Sequence, residues 1–375
     1  MLIFVAKIVK KLNTPPKIKQ SVCIVSEQLA TGGAERCAAL LSHYLENHNF
    51  DVHHLTVLDK IEYSYSGSLF NMGLLKNDQS LFNRFFRFWK MHQYFRINTF
   101  DYIIDARVKH HFLQEWIIAK WIYNAPLIVW VHSFMTQLYV PKNKLLARFI
   151  YSKSKFVAVS DKIKSKITSE YGFTNICTIY NPMDFTEIEN ELDGDEDLDF
   201  NYILAAGSLK NNIKQFDVLI SCFHKSILPS KGIKLLIMGD GALLIELKQL
   251  VHDLHLQEQV VFLGRKQNPF PYYKNALFTV LTSKNEGFPM VLIESLATGT
   301  PVVSYDCDSG PSEIIQNRQN GLLVENQHPQ KMTDALNEMV ENEKFYLHCK
   351  ANSKQSVSAF SLDKIGADWL TILNK

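Results

Sequence analysis

The stretch at residues 284–301 constrains the fold more than any other part of this chain. It reads K-N-E-G-F-P-M-V-L-I-E-S-L-A-T-G-T-P and follows an apolar, partly β-branched run at residues 276–282 whose length suits a buried parallel strand. Pro289 suits the first turn of a helix, and Gly299 with Pro301 behind it suits a helix C-terminus. The stretch therefore predicts a strand, a loop and a helix, the repeating unit of a doubly wound parallel sheet.

Two glutamates in this stretch are predicted to share one crevice. Glu286 lies in the strand-to-helix loop, and Glu294 lies a little over one turn into the helix, where side chains lean back toward the N-terminus. The free N–H groups near residues 288–291 face the same crevice and suit a phosphate, while carboxylates can accept hydrogen bonds from sugar hydroxyls. The spacing alone is better explained by solvated acids that favour a helix N-terminus.

The length and the cysteine pattern narrow the class of protein. A chain of 375 residues suits two domains of about 150 to 200 residues each. Six cysteines without a C-x-x-C pair argue against a zinc site and against a secreted disulfide framework. No apolar run approaches the roughly 18 to 20 residues that span a bilayer, and residues 1–9 lack a signal-peptide cleavage site. We therefore expect a cytoplasmic protein.

The net charge of +2 hides an asymmetry between the two halves. Residues 1–180 carry 23 basic and 12 acidic side chains, whereas residues 181–375 carry 17 and 26. This difference predicts that the first half meets an anionic partner. Nucleic acid is not favoured, because no helix-turn-helix, zinc-finger or RNP-like pattern accompanies the charge.

The first half has the same strand, loop and helix order. Residues 21–26 are predicted as the first buried strand, followed by T-G-G-A-E-R at residues 31–36 and a helix. The loop lacks the full G-x-G-x-x-G fingerprint, so a nicotinamide cofactor is poorly supported. A further strand at residues 127–131 ends at His132, which would face the ligand crevice of a doubly wound sheet. A lone histidine is more often structural.

Several motifs together resemble one known family. E-x7-E with G-F-P after its first glutamate, G-G-A-E-R in the first loop, and V-A-V-S followed by Y-N-P-M-D resemble the family 4 retaining glycosyltransferases, which have the GT-B fold. The resemblance implies an α/β protein with two facing doubly wound, Rossmann-like domains. It places an acceptor-side domain at residues 1–181, a nucleotide-sugar-binding domain at residues 182–357, and a C-terminal helix at residues 358–375 that crosses back onto the first domain.

The resemblance also implies a role for particular residues. Glu286 and His132 would contact the donor sugar, Lys214 would neutralise the donor diphosphate, and Glu294 would hold the ribose hydroxyls. Ser208 stands where the family usually has an arginine, a departure for which Lys210 could compensate. The remaining donor-binding positions implied by the family are Gly33, Gly207, Ser208, Arg265, Lys266, Gly287, Phe288, Pro289 and Met290.

The function implied by the resemblance is transfer of a hexose or N-acetylhexosamine from a nucleotide sugar, often a UDP-sugar, to a glycan or lipid-linked glycan in surface polysaccharide synthesis. The implied mechanism is retaining, needs no metal and uses no cofactor besides the donor. Two other classes stay open: a catalytically silent sugar-binding partner of another transferase, which the missing arginine at Ser208 allows, and a nucleotide-sugar epimerase of similar architecture.

Two acidic segments contain D-x-D patterns that a metal could use. Residues 184–199 have no apolar strand before them to hold the carboxylates rigid, so this segment is predicted to be a solvated linker. Asp306 and Asp308 do follow a predicted strand. They fall between E-x7-E and S-G-P-S-E-I-I, which resembles a loop that closes on the donor in this family, and this context weighs against a metal site.

Three basic stretches with apolar or aromatic side chains lie in the first half: residues 1–19, 81–96 and 142–155. Such a composition suits the interface of an anionic membrane, and packing inside the first domain explains the aromatic residues of 81–96 equally well. We expect peripheral binding at the inner face of the cell membrane.

Overall fold

The computed structural model describes residues 19–78, 80–109, 111–192 and 198–374. Within these residues the chain forms two parallel β-sheets, whose strands alternate with helices along the sequence. The first sheet has seven strands and the second has six. The predicted fold, two doubly wound α/β domains, is confirmed. The apolar and basic stretch at residues 1–19, which we expect to contact an anionic membrane, lies outside the described residues except for Lys19.

The first sheet is built from the strands of the first half in the order β3-β2-β1-β4-β5-β6-β7. All of its neighbouring strands pair in parallel. The strands are β1 (Ser21–Ser26), β2 (Asp51–Thr56), β3 (Ser68–Asn71), β4 (Tyr102–Asp105), β5 (Leu127–Val131), β6 (Lys155–Ala158) and β7 (Ile176–Thr178). The helices around it are α1 (Gly33–Asn47), α2 (Leu81–Ile97), α3 (Phe112–Ile117, continued by a π-helical turn at Ile118–Ile122), α4 (Lys144–Tyr151) and α5 (Asp161–Tyr171).

The second sheet has the order β10-β9-β8-β11-β12-β13 and is also parallel throughout. A helix α6 (Phe185–Glu191) precedes it. Its strands are β8 (Tyr202–Ala206), β9 (Lys234–Met238), β10 (Val260–Gly264), β11 (Thr279–Leu281), β12 (Val302–Tyr305) and β13 (Gly321–Val324). The helices that follow are α7 (Phe216–Lys225), α8 (Leu244–Asp253), α9 (Phe270–Asn275), α10 (Met290–Ala297), α11 (Pro311–Ile314), α12 (Pro329–Glu341), α13 (Glu343–Ser356) and α14 (Leu362–Leu373).

Each sheet reverses its strand order at one point, between β1 and β4 in the first sheet and between β8 and β11 in the second. In open parallel sheets, ligands bind in the crevice outside the carboxyl ends of the strands at such a switch point. A site is therefore expected at the loops after β1 and β4 in the first sheet and after β8 and β11 in the second.

The two halves share apolar contacts, and the last helix joins them. The hydrophobic core of the first sheet continues into Phe270, Phe288 and Ile293 of the second half. Helix α14 packs against α1, and the ring centroid of Trp369 lies 4.8 Å from that of Trp130 on β5. The C-terminal helix thus lies on the first sheet although most of the residues before it belong to the second.

The structure corrects the prediction for the acidic segment at residues 184–199. Its first part is helix α6, which is N-capped by the carboxylate of Asp184 through hydrogen bonds from the N–H groups of Thr186 and Glu187. An aspartate at the N-cap satisfies helix donors that otherwise have no partner, so a segment with many acids can still begin a helix. Residues 193–197 lie outside the described residues.

Two smaller differences concern the stretch around residue 284. Strand β11 is shorter than residues 276–282, and Pro289 precedes the first residue of α10 as its N-cap instead of lying in the first turn. Neither difference moves Glu286 out of the loop or Glu294 off the helix. Within the residues that the structure describes, no helix is long and apolar enough to cross a membrane.

Candidate active site

The loop between β11 and α10 holds Glu286 in a fixed position. The Nζ atom of Lys214 and the Oγ atom of Ser283 donate hydrogen bonds to Glu286 Oε1 at 2.6 and 2.5 Å. The side chains of Lys214 and Glu286 are 19% and 12% exposed to solvent. The pair is therefore mostly buried but remains accessible to a ligand. A lysine ammonium has three donors, so Lys214 can serve an anionic ligand while it holds Glu286.

The second acid, Glu294, is held by one group from each half of the chain. Tyr273 on α9 donates its hydroxyl to Glu294 Oε2 at 3.0 Å. Arg36, from α1 of the first half, places Nη1 3.5 Å from Glu294 Oε1. The carboxylate of Glu294 therefore contacts both halves of the chain, and a crevice shared with Glu286 remains a prediction.

Arg36 is a residue of this region that the sequence interpretation missed. Its Nη2 atom forms an ion pair with Glu187 on α6 at 2.9 Å, and its guanidinium lies 5.5 Å from the ring centroid of Phe270. Burial lowers the pKa of Arg36, but Glu294 and Glu187 outweigh that effect and raise it. Arg36 thus joins the first loop to the acidic helix and to the candidate donor site, and its presence in the G-G-A-E-R motif was the available signal.

The loops that follow β5 and β11 touch each other. The backbone N–H of Phe134 donates to the carbonyl oxygen of Glu286 at 3.3 Å. A Cβ atom added to Gly287 would lie only 1.9 Å from the carbonyl oxygen of His132, so no larger residue fits at position 287 without movement. The predicted sugar-binding histidine and the predicted donor loop are therefore neighbours.

Both ring nitrogens of His132 are buried, although the residue as a whole is partly exposed. Burial lowers its pKa to about 3, and its ring lies 4.4 Å from the ring of Trp130. Neither ring nitrogen has a hydrogen-bond partner within the described part of the chain. Because buried polar atoms are nearly always hydrogen-bonded, an unpaired imidazole at this edge suits a ligand that offers hydroxyl groups.

The sequence of the chain matches the profiles of two protein families. The sequence profile described as "Glycosyltransferase Family 4" matches residues 31–187. The profile described as "Glycosyl transferases group 1" matches residues 187–356, so the two together cover both sheets. The chain belongs to glycosyltransferase family 4. It is therefore a glycosyltransferase of the GT-B fold.

Named relatives of this glycosyltransferase span nearly its whole length. The amylovoran biosynthesis glycosyltransferase AmsD of Erwinia amylovora is 27% identical over 92% of this chain and 96% of its own. A Campylobacter jejuni enzyme named N-acetylgalactosamine-N,N'-diacetylbacillosaminyl-diphospho-undecaprenol 4-alpha-N-acetylgalactosaminyltransferase is 28% identical over 94% and 99%. The solved structure of Anabaena HepE in complex with UDP-glucose has the same fold, with a TM-score of 0.74, 18% identity, and coverage of 94% and 99%.

The remaining predicted donor-binding residues of the glycosyltransferase line the same two edges. A Cβ atom on Gly33 would contact Met290 Cγ at 3.4 Å, which brings the first glycine loop against α10. A Cβ atom on Gly207 would lie 3.1 Å from Lys214 Cε, so Gly207 leaves room for the lysine side chain. Phe288 is buried and stacks on Tyr180 with ring centroids 5.0 Å apart.

Pro289 and Ser208 complete this set. Pro289 lies against Gly310, where an added Cβ atom would come within 2.3 Å of the proline Cδ. Ser208, at the position where the family has an arginine, accepts a hydrogen bond from the backbone N–H of Lys210 at 3.3 Å. Lys210 also lies close enough to Glu35 of the first loop to offset part of the rise that burial causes in the pKa of that carboxyl.

The two basic residues predicted near the nucleobase have partners of their own. Arg265 forms an ion pair with Glu62 of the first half, and the hydrogen bond that it donates to this carboxylate raises the pKa of Arg265. The Nζ atom of Lys266 lies 5.0 Å from the ring centroid of Tyr272. Both residues follow the end of β10, which is at the same edge of the second sheet as Glu286; a contact with a base remains a prediction.

The second D-x-D pattern is divided between different partners. Asp306 Oδ1 lies 3.5 Å from Lys162 Nζ of the first half, while the carbonyl oxygen of Asp308 accepts a hydrogen bond from the N–H of Glu286 at 3.2 Å. Cys307 between them is buried. Among residues 19–78, 80–109, 111–192 and 198–374, no group of three or more His, Cys, Asp or Glu side chains is arranged to hold a metal ion.

Proposed function

We propose that this glycosyltransferase moves a hexose or N-acetylhexosamine from a UDP-sugar to a glycan or lipid-linked glycan, with retention of the anomeric configuration, in surface polysaccharide synthesis. The proposal is carried by two acids of the second half: Glu286, which is paired with Lys214 in the loop before α10, and Glu294 on α10, which is paired with Arg36 of the first half. The names of the AmsD and Campylobacter relatives support the acceptor class, and the UDP-glucose complex of HepE supports the donor class.

The charges of the site fit the demands of this transfer. The bond between the anomeric carbon and the diphosphate oxygen breaks, and its electron pair leaves with the nucleoside diphosphate. Lys214 and the first N–H groups of α10 would stabilise that negative charge, because a helix N-terminus favours phosphate. Glu294 would accept hydrogen bonds from the ribose hydroxyls, and Glu286 with His132 would hold the donor sugar.

Retention without a covalent intermediate requires the acceptor to attack from the face that the leaving group occupies. In our proposal the acceptor oxygen forms the new bond on that face, and its proton passes to the departing phosphate oxygen. Glu286 then serves to orient the sugar and to stabilise its positive charge in the transition state. The anomeric configuration of the product, read by NMR from a donor of known configuration, tests this step; an inverted product would refute it.

The identity of the donor is tested by binding. We expect a UDP-sugar to raise the unfolding temperature of the protein more than the matching GDP- and ADP-sugars, because a ligand that binds only the folded state stabilises it by mass action. The Glu294→Gln variant should lose most of that shift, whereas the exposed Glu258→Gln change should keep it. Equal shifts with all three nucleotides would contradict the choice of UDP.

The proposal includes no metal ion and no cofactor besides the donor. Lys214 and the N-terminus of α10 would carry the diphosphate charge that a divalent cation carries in other transferases. Turnover should therefore be the same before and after dialysis against EDTA. A requirement for Mn²⁺ or Mg²⁺ would return attention to Asp306 and Asp308.

We also propose that the first half binds anionic membrane from the cytoplasmic side. Three of its helices expose large apolar side chains to solvent. These side chains are Leu81, Phe82, Phe85 and Trp89 on α2, Phe112 and Leu113 on α3, Trp121 on the π-helical turn, and Leu145 and Phe149 on α4. Aromatic and basic side chains on one surface suit the headgroup region of a bilayer, where a lipid-linked acceptor would be found.

A further inference from the structure

A cavity of about 280 Å³ lies in the first half of the chain, away from the Lys214–Glu286 pair. Val57 and Met72, each directly after the end of a strand, and Arg107, two residues after the end of β4, form part of its wall. These are the carboxyl ends of β2, β3 and β4. The cavity therefore lies along the same edge of the first sheet as His132, which follows β5.

Arginine side chains dominate the polar lining of this cavity. Arg84 and Arg87 lie three residues apart on α2, so they project from the same face of that helix, and Arg107 lies opposite them. Arg107 is buried and fully engaged: it donates two hydrogen bonds to Asp105, at 3.0 and 2.7 Å, and one to Glu115 at 3.1 Å. Its charge is balanced by those acids.

The charges of Arg84 and Arg87 are not balanced by acidic side chains in this way. Neither forms an ion pair with any residue in the part of the chain that the structure describes. Arg87 donates one hydrogen bond from Nη2 to the carbonyl oxygen of Val57 at 2.7 Å, and its Nε atom is buried without a partner. Burial alone lowers the pKa of Arg87. A guanidinium taken partly out of water without an acid beside it is unfavourable unless an anion binds there.

Apart from the arginines and two further polar residues, His111 and Gln114, the lining of the cavity is apolar. Phe88, Met91 and Ile118 line it together with Met72. On the neighbouring turn of α2, Phe85 is 72% exposed to solvent. A ligand that fits both features carries a strong anion at one end and a hydrocarbon chain at the other. Arginine suits phosphate in particular, because its planar group donates two parallel hydrogen bonds to a pair of oxygens.

We propose that this cavity binds the diphosphate of a polyprenyl-linked acceptor, with the Arg84 and Arg87 guanidinium groups on the phosphates and the polyprenyl chain leaving across the exposed face of α2. The inference rests on the proposed function insofar as the acceptor is lipid-linked. The cavity would then hold the acceptor by its lipid end, on the first sheet, while the glycan end extends along the sheet edge toward His132 and Glu286.

Binding of a short polyprenyl diphosphate tests the proposal without the natural acceptor. Calorimetric titration of the full chain with farnesyl diphosphate, in saturating UDP so that the donor site is occupied, should give one site. The Arg84→Gln/Arg87→Gln variant should bind about tenfold or more weakly, since each lost bond is one between charged groups. Arg96→Gln removes one charge from the same helix at an exposed position outside the lining, and it should bind like the parent.

The alternatives have distinct results. Equal affinity of the parent and the double variant for farnesyl diphosphate would overturn the site, as would an equal loss in Arg96→Gln, which would indicate general charge attraction. Inorganic pyrophosphate that binds as tightly as farnesyl diphosphate would overturn the lipid part. Arg84 is exposed, so Arg84→Gln alone keeps the test valid if the double variant unfolds. Farnesyl diphosphate bound without any binding of UDP would count against the proposed donor and not against the cavity.

Discussion

The crevice edges of the two sheets differ in how their charges are balanced. At the edge of the second sheet, Glu286 is paired with Lys214, and Glu294 is held by Tyr273 and Arg36. At the edge of the first sheet, Arg84 and Arg87 have no acidic partner among the described residues, and apolar side chains of α2 face solvent.

The edge of the second sheet is therefore a preorganised site, whereas the edge of the first sheet is a surface whose charges lack partners. The groups on the donor side already hold one another in place, so they need little rearrangement when a charged donor arrives. The first edge leaves positive charge and apolar area uncompensated, which is costly unless a partner with the opposite charge covers it. The excess of basic residues in the first half thus has a structural counterpart: part of it lines a cavity and part lies on an exposed surface.

The strongest test of the donor edge is Glu286→Gln, which keeps the size of the side chain and removes its charge. We expect kcat to fall about 10²- to 10³-fold, the usual loss when an electrostatic stabiliser of a transition state is removed. The KM for the donor should change far less, because Glu286 would act mainly on the reacting sugar. Steady-state kinetics measure both constants. Parental kcat in Glu286→Gln would show that the residue has no part in transfer.

The proposed binding of the first half to an anionic membrane is tested by reversing the charge of three of its lysines. Replacing Lys142, Lys144 and Lys153 by Glu should weaken binding to anionic vesicles at least tenfold, because each basic residue near such a surface contributes about 1 kcal/mol. Arg148 is kept, since its Nε atom donates to the carbonyl oxygen of Tyr171. Co-sedimentation measures the effect, and added salt should weaken the parent as well.

The matched control for this experiment lies in the second half. Lys225, Lys231 and Lys248 are exposed, and their replacement by Glu changes the net charge by the same amount. We expect that variant to bind vesicles like the parent. If both triple variants lost binding equally, net charge alone would explain the association. If the parent stayed in the supernatant with neutral and anionic vesicles alike at low salt, the membrane proposal would be wrong.

The same contrast explains how far the sequence could predict this molecule. Apolar runs of strand length, glycine loops and the E-x7-E spacing are local, and they predicted both sheets and the placement of Glu286 and Glu294. Arg36 was missed because its partners Glu187 and Glu294 are 151 and 258 residues away along the chain. No local pattern reports a contact over that distance.

The cavity at Arg84 and Arg87 was missed for a related reason. Aromatic and basic residues are mixed around α2, so the sequence could not decide which side chains face the core. The structure buries Met91 and Phe95 and leaves Phe85 exposed, and the helix packs against the turns at Met72–Leu75 and Ile118–Ile122, which lie elsewhere in the chain. Helix α6 was predicted as a linker because the acids that begin it suit a helix N-cap and a solvated loop equally.

The contact between the two edges is tested by Arg36→Ala. We expect the donor KM to rise about fivefold to tenfold with a smaller change in kcat, because Glu294 would lose one of the groups that orient it, and hydrogen bonds to charged groups are worth roughly 1.5–3 kcal/mol. Arg36→Lys should recover part of the loss. A double-mutant cycle with Glu187→Gln separates the two ion pairs of Arg36. An unchanged donor KM in Arg36→Ala would mean that Tyr273 suffices to hold Glu294.

The smallest expected effect concerns two histidines of the first half whose ring nitrogens are buried, and it appears as a dependence of stability on pH. Burial lowers the pKa of His132 to about 3 and that of His54, inside β2, to about 4. Below pH 6.5 the unfolded chain therefore binds protons that the folded chain does not, so stability is present above that pH and is lost as the pH falls toward 4.

At pH 5 this effect amounts to at most about 2 kcal/mol for each histidine. The unfolding temperature of the parent should fall between pH 7 and pH 5, and the fall should be smaller in His132→Gln and in His54→Gln. The two variants then differ in one respect. A saturating donor should reduce the fall in His54→Gln as it does in the parent, but less in His132→Gln. Both histidines have unpaired ring nitrogens among the described residues, but His54 lies inside β2, whereas His132 follows β5 at the crevice edge, where a sugar hydroxyl could pair with it. Identical behaviour of both variants with donor would assign His132 to the packing of the sheet and remove it from the sugar site.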